Sequence, residues 1–131
     1  MNFGTYFAEK RNEKEISLRL MARLLGISAP YLGDVEHGRR KPLETEKLTK
    51  AMDILELSEE ERNTMFDLAG EARDTVAPDL VEYIMTHKHV VKALRAARDL
   101  GATDEDWKTF IEKLKKKYKS TTVQSAQILT Q

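Results

Sequence analysis

The sequence predicts an all-α protein, and three observations carry that prediction. Apolar residues recur three and four positions apart through most of the chain, as they do along one face of a helix. Helix-capping and helix-stopping residues punctuate that pattern at intervals of about one helix. Alternating β-branched residues, the mark of strands, are limited to a weak hint in the last dozen positions.

The elements follow in order. A first helix over roughly 2–14 puts Phe3, Phe7 and the stem of Arg11 on one face. Ser17 is an N-cap for a second, in which Leu18, Met21, Ala22 and Leu25 share a side before Gly26 ends it. Ser28 caps a third, with Pro30 in its first turn, where a missing N–H is harmless; Leu32 and Val35 point inward and Gly38 stops it. After the basic, extended Arg39-Arg40-Lys41-Pro42, a fourth helix covers about 44–55 and buries Leu48, Ala51, Met52 and Leu55. Ser58 and Glu61 form a capping box for a fifth, carrying Met65, Leu68 and Ala69 and ending at Gly70. These five helices are expected to make one domain, residues 1–70.

Residues 71–77 read as a connector. A new helix starts at Pro78-Asp79-Leu80 and runs through Val81, Tyr83 and Ile84; a further one places Val90, Leu94, Ala97 and Gly101 on a stripe. Thr103 and Asp106 form a second capping box. The helix they open has Asp104, Glu105 and Asp106 at its positive pole, Lys113, Lys115, Lys116, Lys117 and Lys119 toward its negative one, and Trp107, Phe110, Ile111, Leu114 and Tyr118 at helical spacing. Residues 78–118 are thus expected as a small helical C-terminal region, and 119–131, almost free of charge, as a disordered tail.

The composition excludes several function classes. Among 131 residues, 22 Lys and Arg balance 22 Asp and Glu, so the chain is no polycation that holds nucleic acid by bulk charge. Up to Gly70 there are 11 basic against 13 acidic residues, so any anion site must come from placement rather than from net charge. Without Cys there is no disulfide, thiolate zinc site or cysteine nucleophile, and a reducing, cytoplasmic location is expected. No apolar run approaches the roughly 18 residues of a membrane span, and the start of the chain lacks the pattern of a signal peptide. His87 and His89, two apart, fall on opposite sides of a helix, so no metal and no cofactor is expected. No nucleophile elbow or phosphate loop is present, and no enzymatic activity is expected.

Residues 17–42 carry the functional signal. Two short helices separated by Gly26-Ile27-Ser28 must cross steeply, with the small Ala22 where the second of them approaches. The pattern of Ser17, Ala22, Gly26, Ile27, Ser28, Tyr31, Leu32, Val35, Glu36 and Gly38 resembles the Cro/xenobiotic-response-element (XRE) family of bacterial and phage DNA-binding regulators, over about residues 2–70. The resemblance implies the five-helix, lambda-repressor-like helix-turn-helix domain, with helix 28–37 entering the major groove of an operator, and a structural ion pair between Arg11 and Glu36.

Chemistry then assigns roles. Ser17 and the amides after it, with Arg19, suit a phosphate at a helix N-terminus. Arg39, Arg40 and Lys41 suit phosphate clamps. Ser28 and Tyr31 belong to the DNA-contacting set, and base edges are expected to face Ala29, Pro30, Gly33, Asp34 and His37. Ala29 and Pro30 offer only apolar contact to a thymine methyl, Gly33 offers clearance and Asp34 accepts from cytosine N4. Direct readout is therefore sparse, and DNA shape and half-site spacing are expected to contribute. Symmetric half-sites call for a homodimer, expected through Trp107, Phe110, Ile111 and Leu114; the alternative is that residues 78–118 pack back on the first five helices as one core. The leading reading is a repressor, autoregulatory in a phage-like or mobile element, with release expected from a regulatory protein partner, from proteolysis or from a change in expression level. The alternatives are the DNA-binding antitoxin of a toxin–antitoxin pair and an antirepressor that kept the fold without DNA binding.

Overall fold

The computed structural model describes the backbone of residues 1–130 and the side chains of residues 1–119. Among these residues it contains eight helices and no strand, in two units, Met1–Thr86 and a second beginning at His87. The first unit holds α1 (Phe3–Glu13), α2 (Leu18–Leu25), α3 (Ala29–Glu36), α4 (Thr45–Ile54), α5 (Glu59–Ala72) and α6 (Pro78–Thr86). The second holds α7 (Lys88–Leu100) and α8 (Asp104–Thr130).

The caps read from sequence fix the helix starts. Ser17 accepts from the Leu20 N–H, Ser28 from the Tyr31 N–H, and Ser58 and Glu61 bond reciprocally. Thr103 and Asp106 do the same ahead of α8. Asn2, which the sequence does not single out, caps α1 by accepting from the Thr5 N–H. One core results, built from Phe3 and Phe7 of α1, Met21, Ala22 and Leu25 of α2, Leu32 and Val35 of α3, Leu48, Ala51 and Met52 of α4, and Met65 and Ala69 of α5. Leu43, Leu55 and Leu57 close it from the connecting segments. Burying each large apolar side chain contributes roughly 1.5–3 kcal/mol.

Two close backbone approaches set how tightly the helices meet. A Cβ on Gly4 of α1 would lie 2.2 Å from the Glu36 carbonyl oxygen, so α1 crosses the end of α3 at a distance that only glycine permits. Gly70 has the same role at the other end of the unit. The sequence makes it the stop of α5, but the helix continues to Ala72, and a Cβ at Gly70 would meet Ala77 backbone atoms at 2.9 Å. The turn that ends α5 is made by Asp74 instead, in the left-handed region with φ 56°, and the Thr75 N–H reaches back to the Gly70 carbonyl.

Three further boundaries differ from the sequence reading. α6 packs on α5 and so belongs to the first unit, which moves the division of the chain from 70–78 to Thr86/His87. Gly101, placed by the sequence on an apolar stripe, caps α7 in the left-handed conformation at φ 73°. α8 continues as helix to Thr130, past the start of the expected tail, in keeping with the absence of Gly and Pro after Gly101; Gln131 lies outside the described residues. α7 and α8 make little contact with each other, and no described residue of the second unit is buried.

Lys10 of α1 and Glu61 of α5 tie two helices together at 2.9 Å. The Ser58 backbone N–H, then the Lys10 ammonium, then the Ser58 hydroxyl hold the Glu61 carboxyl at about 2 against an ordinary 4.5. A carboxylate lowered by folding stabilises fully above its unfolded value and loses that contribution as the pH falls through the folded one. Stability is therefore expected to decline between about pH 4.5 and 2, and Glu61→Gln to flatten that slope in urea titrations. Gly4→Ala is expected to destabilise the first unit by at least about 2 kcal/mol, since backbone must move; an unchanged urea midpoint would show that α1 has room to shift.

Candidate nucleic-acid interface

The exposed face of α3 depends on how its inner face is held. Leu32 and Val35 anchor it in the core, and at its C-terminal end the Arg11 guanidinium grips Glu36 with two parallel bonds, Nε to Oε2 at 2.8 Å and Nη2 to Oε1 at 2.9 Å. Arg11 also donates through Nη1 to the Ile16 carbonyl at 2.9 Å, so one guanidinium joins α1, the turn before α2, and α3. Both side chains are largely buried, at 11% and 6% exposure. The Glu36 bond raises the Arg11 pKa above its ordinary value, against the effect of desolvation. The pair expected from the family resemblance is present as a structural one.

The turn between α2 and α3 is set by Gly26, left-handed at φ 71°. A feature that sequence reasoning missed secures it: Lys47 of α4 donates to the Leu25 carbonyl at 3.0 Å, closing the C-terminal end of α2 from outside the motif. A lysine 22 residues downstream carries no local signal of that role.

On this frame the predicted residues gather in three places. A shallow groove of about 390 Å³ brings together Arg19 of α2, Ala29, Pro30, Gly33, Asp34 and His37 of α3, and Arg39 beyond it. Ser17, which caps α2, is exposed beside its start. Arg39, Arg40 and Lys41 line a second hollow of about 290 Å³ that reaches Asn2 and Gly4 at the start of α1. Ser28 and Tyr31 line a third with Leu43, Glu44 and Lys47. The Arg40 guanidinium lies over the Tyr31 ring at 5.8 Å, an arrangement that favours a cation on the ring face.

The basic segment is oriented from the helix it follows. Gly38 turns the chain at φ 77°, and the Asp34 carbonyl accepts the Arg39 N–H at 2.8 Å and the Arg40 N–H at 3.3 Å. The Asp34 carboxylate also pairs with Arg39, Oδ1 to Nη1 at 3.2 Å. This contact was not visible in the sequence reading, which set Asp34 against bases and Arg39 against phosphate. His37 bonds through Nδ1 to the Gly33 carbonyl at 2.7 Å. Gly33 itself is not demanded by packing, because a Cβ there would meet Leu18 Cδ2 at an ordinary 3.5 Å.

The four residues expected at a dimer contact lie on α8. Phe110, Ile111 and Leu114 are between 40% and 50% exposed, and Trp107 meets Phe110 edge to face with ring centroids 5.9 Å apart. Among the described residues no group of three His, Cys, Asp or Glu converges to hold a metal ion, and no helix is long and apolar enough to cross a membrane.

Residues 2–65 match a family model described as a helix-turn-helix domain. Comparisons with curated proteins and with solved structures gave no significant match.

Removing one partner of a buried ion pair leaves the other charge uncompensated, which costs roughly 3–5 kcal/mol. Arg11→Met is expected to lower the stability of the first unit by that much in urea unfolding. Arg11→Met with Glu36→Leu is expected to recover most of the loss, because an apolar pair of similar volume replaces the ions. Equal destabilisation by the single and double changes would place the role of Arg11 in its packing and its Ile16 contact.

Proposed function

Through residues 2–65 the chain belongs to the XRE-type helix-turn-helix family, and on that premise we propose that it is a sequence-specific regulator of transcription. It binds double-stranded DNA with α3 in the major groove and acts as a repressor, autoregulatory in a phage-like or mobile element, in the cytoplasm. The observation that carries this reading is the groove shared by Arg19, the outer face of α3 and Arg39. It places two cations beside a helix face of small and polar side chains, the arrangement needed when a helix enters a groove between two phosphate chains.

Within that reading, Ser17, Arg19, Arg39, Arg40 and Lys41 meet phosphates, Ser28 and Tyr31 flank the entry of α3, and Ala29, Pro30, Gly33, Asp34 and His37 face the bases. Arg39 and Arg40 are the central clamps. The fold has space for a side chain at Gly33, which is consistent with its bareness serving close approach to DNA. Dimerisation falls to the second unit, where Trp107, Phe110, Ile111 and Leu114 form a stripe with nothing buried beneath it. Release from the operator falls to a regulatory protein partner.

Three measurements test this reading. Arg39→Ala and Arg40→Ala are each expected to weaken binding to the chain's own promoter and to reduce the slope of log K against log salt by about 1. An unchanged affinity and slope for both would remove the clamp assignment. Gly33→Ala is expected to stabilise the fold by roughly 0.5–1 kcal/mol, since alanine favours a helix interior, while weakening promoter binding. A gain in both would mean that Gly33 stays clear of DNA. Sedimentation at tens of micromolar is expected to give a dimer that Phe110→Glu with Leu114→Glu converts to a monomer, and a monomeric parent chain would refute the assembly.

A further inference from the structure

We propose that Arg73, which the sequence places in a connector, is a positioning residue of the nucleic-acid interface: it fixes the far end of Arg39-Arg40-Lys41-Pro42 and so keeps Arg40 and Lys41 in place for phosphates. The inference rests on the DNA-binding reading and deepens it. It brings into the interface a residue that lies beyond the matched residues 2–65.

The basic segment has no regular structure of its own, so it clamps a ligand cheaply only if both its ends are held; each loose residue costs conformational entropy on binding. The near end is held from α3, by the left-handed Gly38 and by the Asp34 carbonyl that accepts the Arg39 and Arg40 amides. The far end is held from α5. Nη2 of Arg73 donates to the Pro42 carbonyl and lies 3.5 Å from Glu44 Oε1, so one guanidinium spans the step from the basic segment into α4. Glu44 stands at the N-cap of α4 without a side-chain capping bond, and its carboxylate turns to Arg73 instead. That carboxylate is exposed, so the ion pair is weak and the part-buried bond to the Pro42 carbonyl is the principal contact.

Arg73 is itself built in. Its backbone N–H caps α5 on the Ala69 and Gly70 carbonyls, Asp74 then turns the chain, and Gly70 lets Ala77 pack where a Cβ would not fit. The Arg73 side chain is 26% exposed against 69% for Arg39, so its guanidinium is turned onto the chain rather than out to a ligand. Ala72, the residue before it, borders the same hollow as Arg39, Arg40 and Lys41, and the end of α5 therefore adjoins the clamps. Arg40 is set from the same side. Its guanidinium lies over Tyr31, and Tyr31 shares a hollow with Leu43 and Glu44, the residues that follow Pro42.

The test is Arg73→Met in the full chain, which keeps the apolar stem and the backbone cap and removes every side-chain donor; Arg73→Gln takes its place if the first variant is unstable in urea. Backbone amide relaxation by NMR is expected to show Arg40 and Lys41 losing order while Leu32 and Val35 of α3 keep theirs. Affinity for the chain's own promoter is expected to fall about three- to tenfold, the cost of ordering one or two long side chains at binding. Arg40→Ala and Lys41→Ala are each expected to cost less in the Arg73→Met background than in the parent chain, since a cation already out of place has less to lose. A residue that met phosphate on its own account would add its loss to theirs instead. Unchanged order at Arg40 and Lys41 overturns the proposal, and so does unchanged affinity or a set of losses that add. If the parent chain fails to bind the promoter, the DNA-binding reading falls, while the relaxation measurement still decides whether Arg73 holds the segment.

Discussion

The two-pronged bond between Arg11 and Glu36 is the constraint on which the domain depends. α3 is only Ala29–Glu36, too short to hold its own orientation, since isolated helices of this length are unstable in water. Its apolar anchors Leu32 and Val35 restrain it along one stripe, and the guanidinium of Arg11 fixes rotation at the far end. Because the same guanidinium also holds the Ile16 carbonyl, the segment entering α2 is tied to the end of α3. The approach permitted by Gly4 at the Glu36 carbonyl brings α1 near enough for that bond. A bare glycine and a long charged side chain on one helix thus serve a single crossing.

The inner and outer faces of α3 answer to different demands. Inside, Leu32 is fully buried and Val35 nearly so, and neither can change without opening a void. Outside, its side chains are small or engage the chain itself: Asp34 holds Arg39, and His37 holds the Gly33 carbonyl. The exposed face is therefore arranged before any ligand arrives, which lowers the entropy lost on binding. The basic segment is ordered in the same way, by two amides on the Asp34 carbonyl and by Arg40 over Tyr31. Net charge is a poor guide to such a surface, since the 13 acidic residues up to Gly70 include Glu36 and Glu61, both bound to cations of α1.

Much of this architecture was legible in the residues. Ser17, Ser28, Ser58 and Thr103 announced four helix starts because a cap is a local interaction between a side chain and amides two or three positions on. Leu48, Ala51 and Met52 announced a buried stripe by spacing alone. What escaped was non-local or depended on one backbone angle. Gly70 reads as a stop by composition, yet packing against Ala77 is its role, and the left-handed turn fell to Asp74, one of the few non-glycine residues that visits that region. Glu15 and Glu56 likewise take the left-handed conformation, at φ 56° and 52°, where sequence offers only charged residues. Lys47 on the Leu25 carbonyl and Asp34 on Arg39 are side-chain choices settled by the assembled fold. The groove residues were found together because α3 supplies most of them at consecutive turns of one short helix.

The bare second unit has a consequence for how stability is distributed along the chain. Opening a helix with no fully buried side chain, only partly covered ones such as Val90, Val91 and Trp107, exposes little additional apolar surface, so the free energy of local opening there is low. In the first unit, exposing Phe7, Leu32, Leu48 or Met65 to water requires the whole core to open. Amide protons of the isolated chain will accordingly exchange in two populations. Those of α3 and α4 exchange at the rate set by global unfolding, and those of α7 and α8 exchange through fraying that leaves the first unit intact.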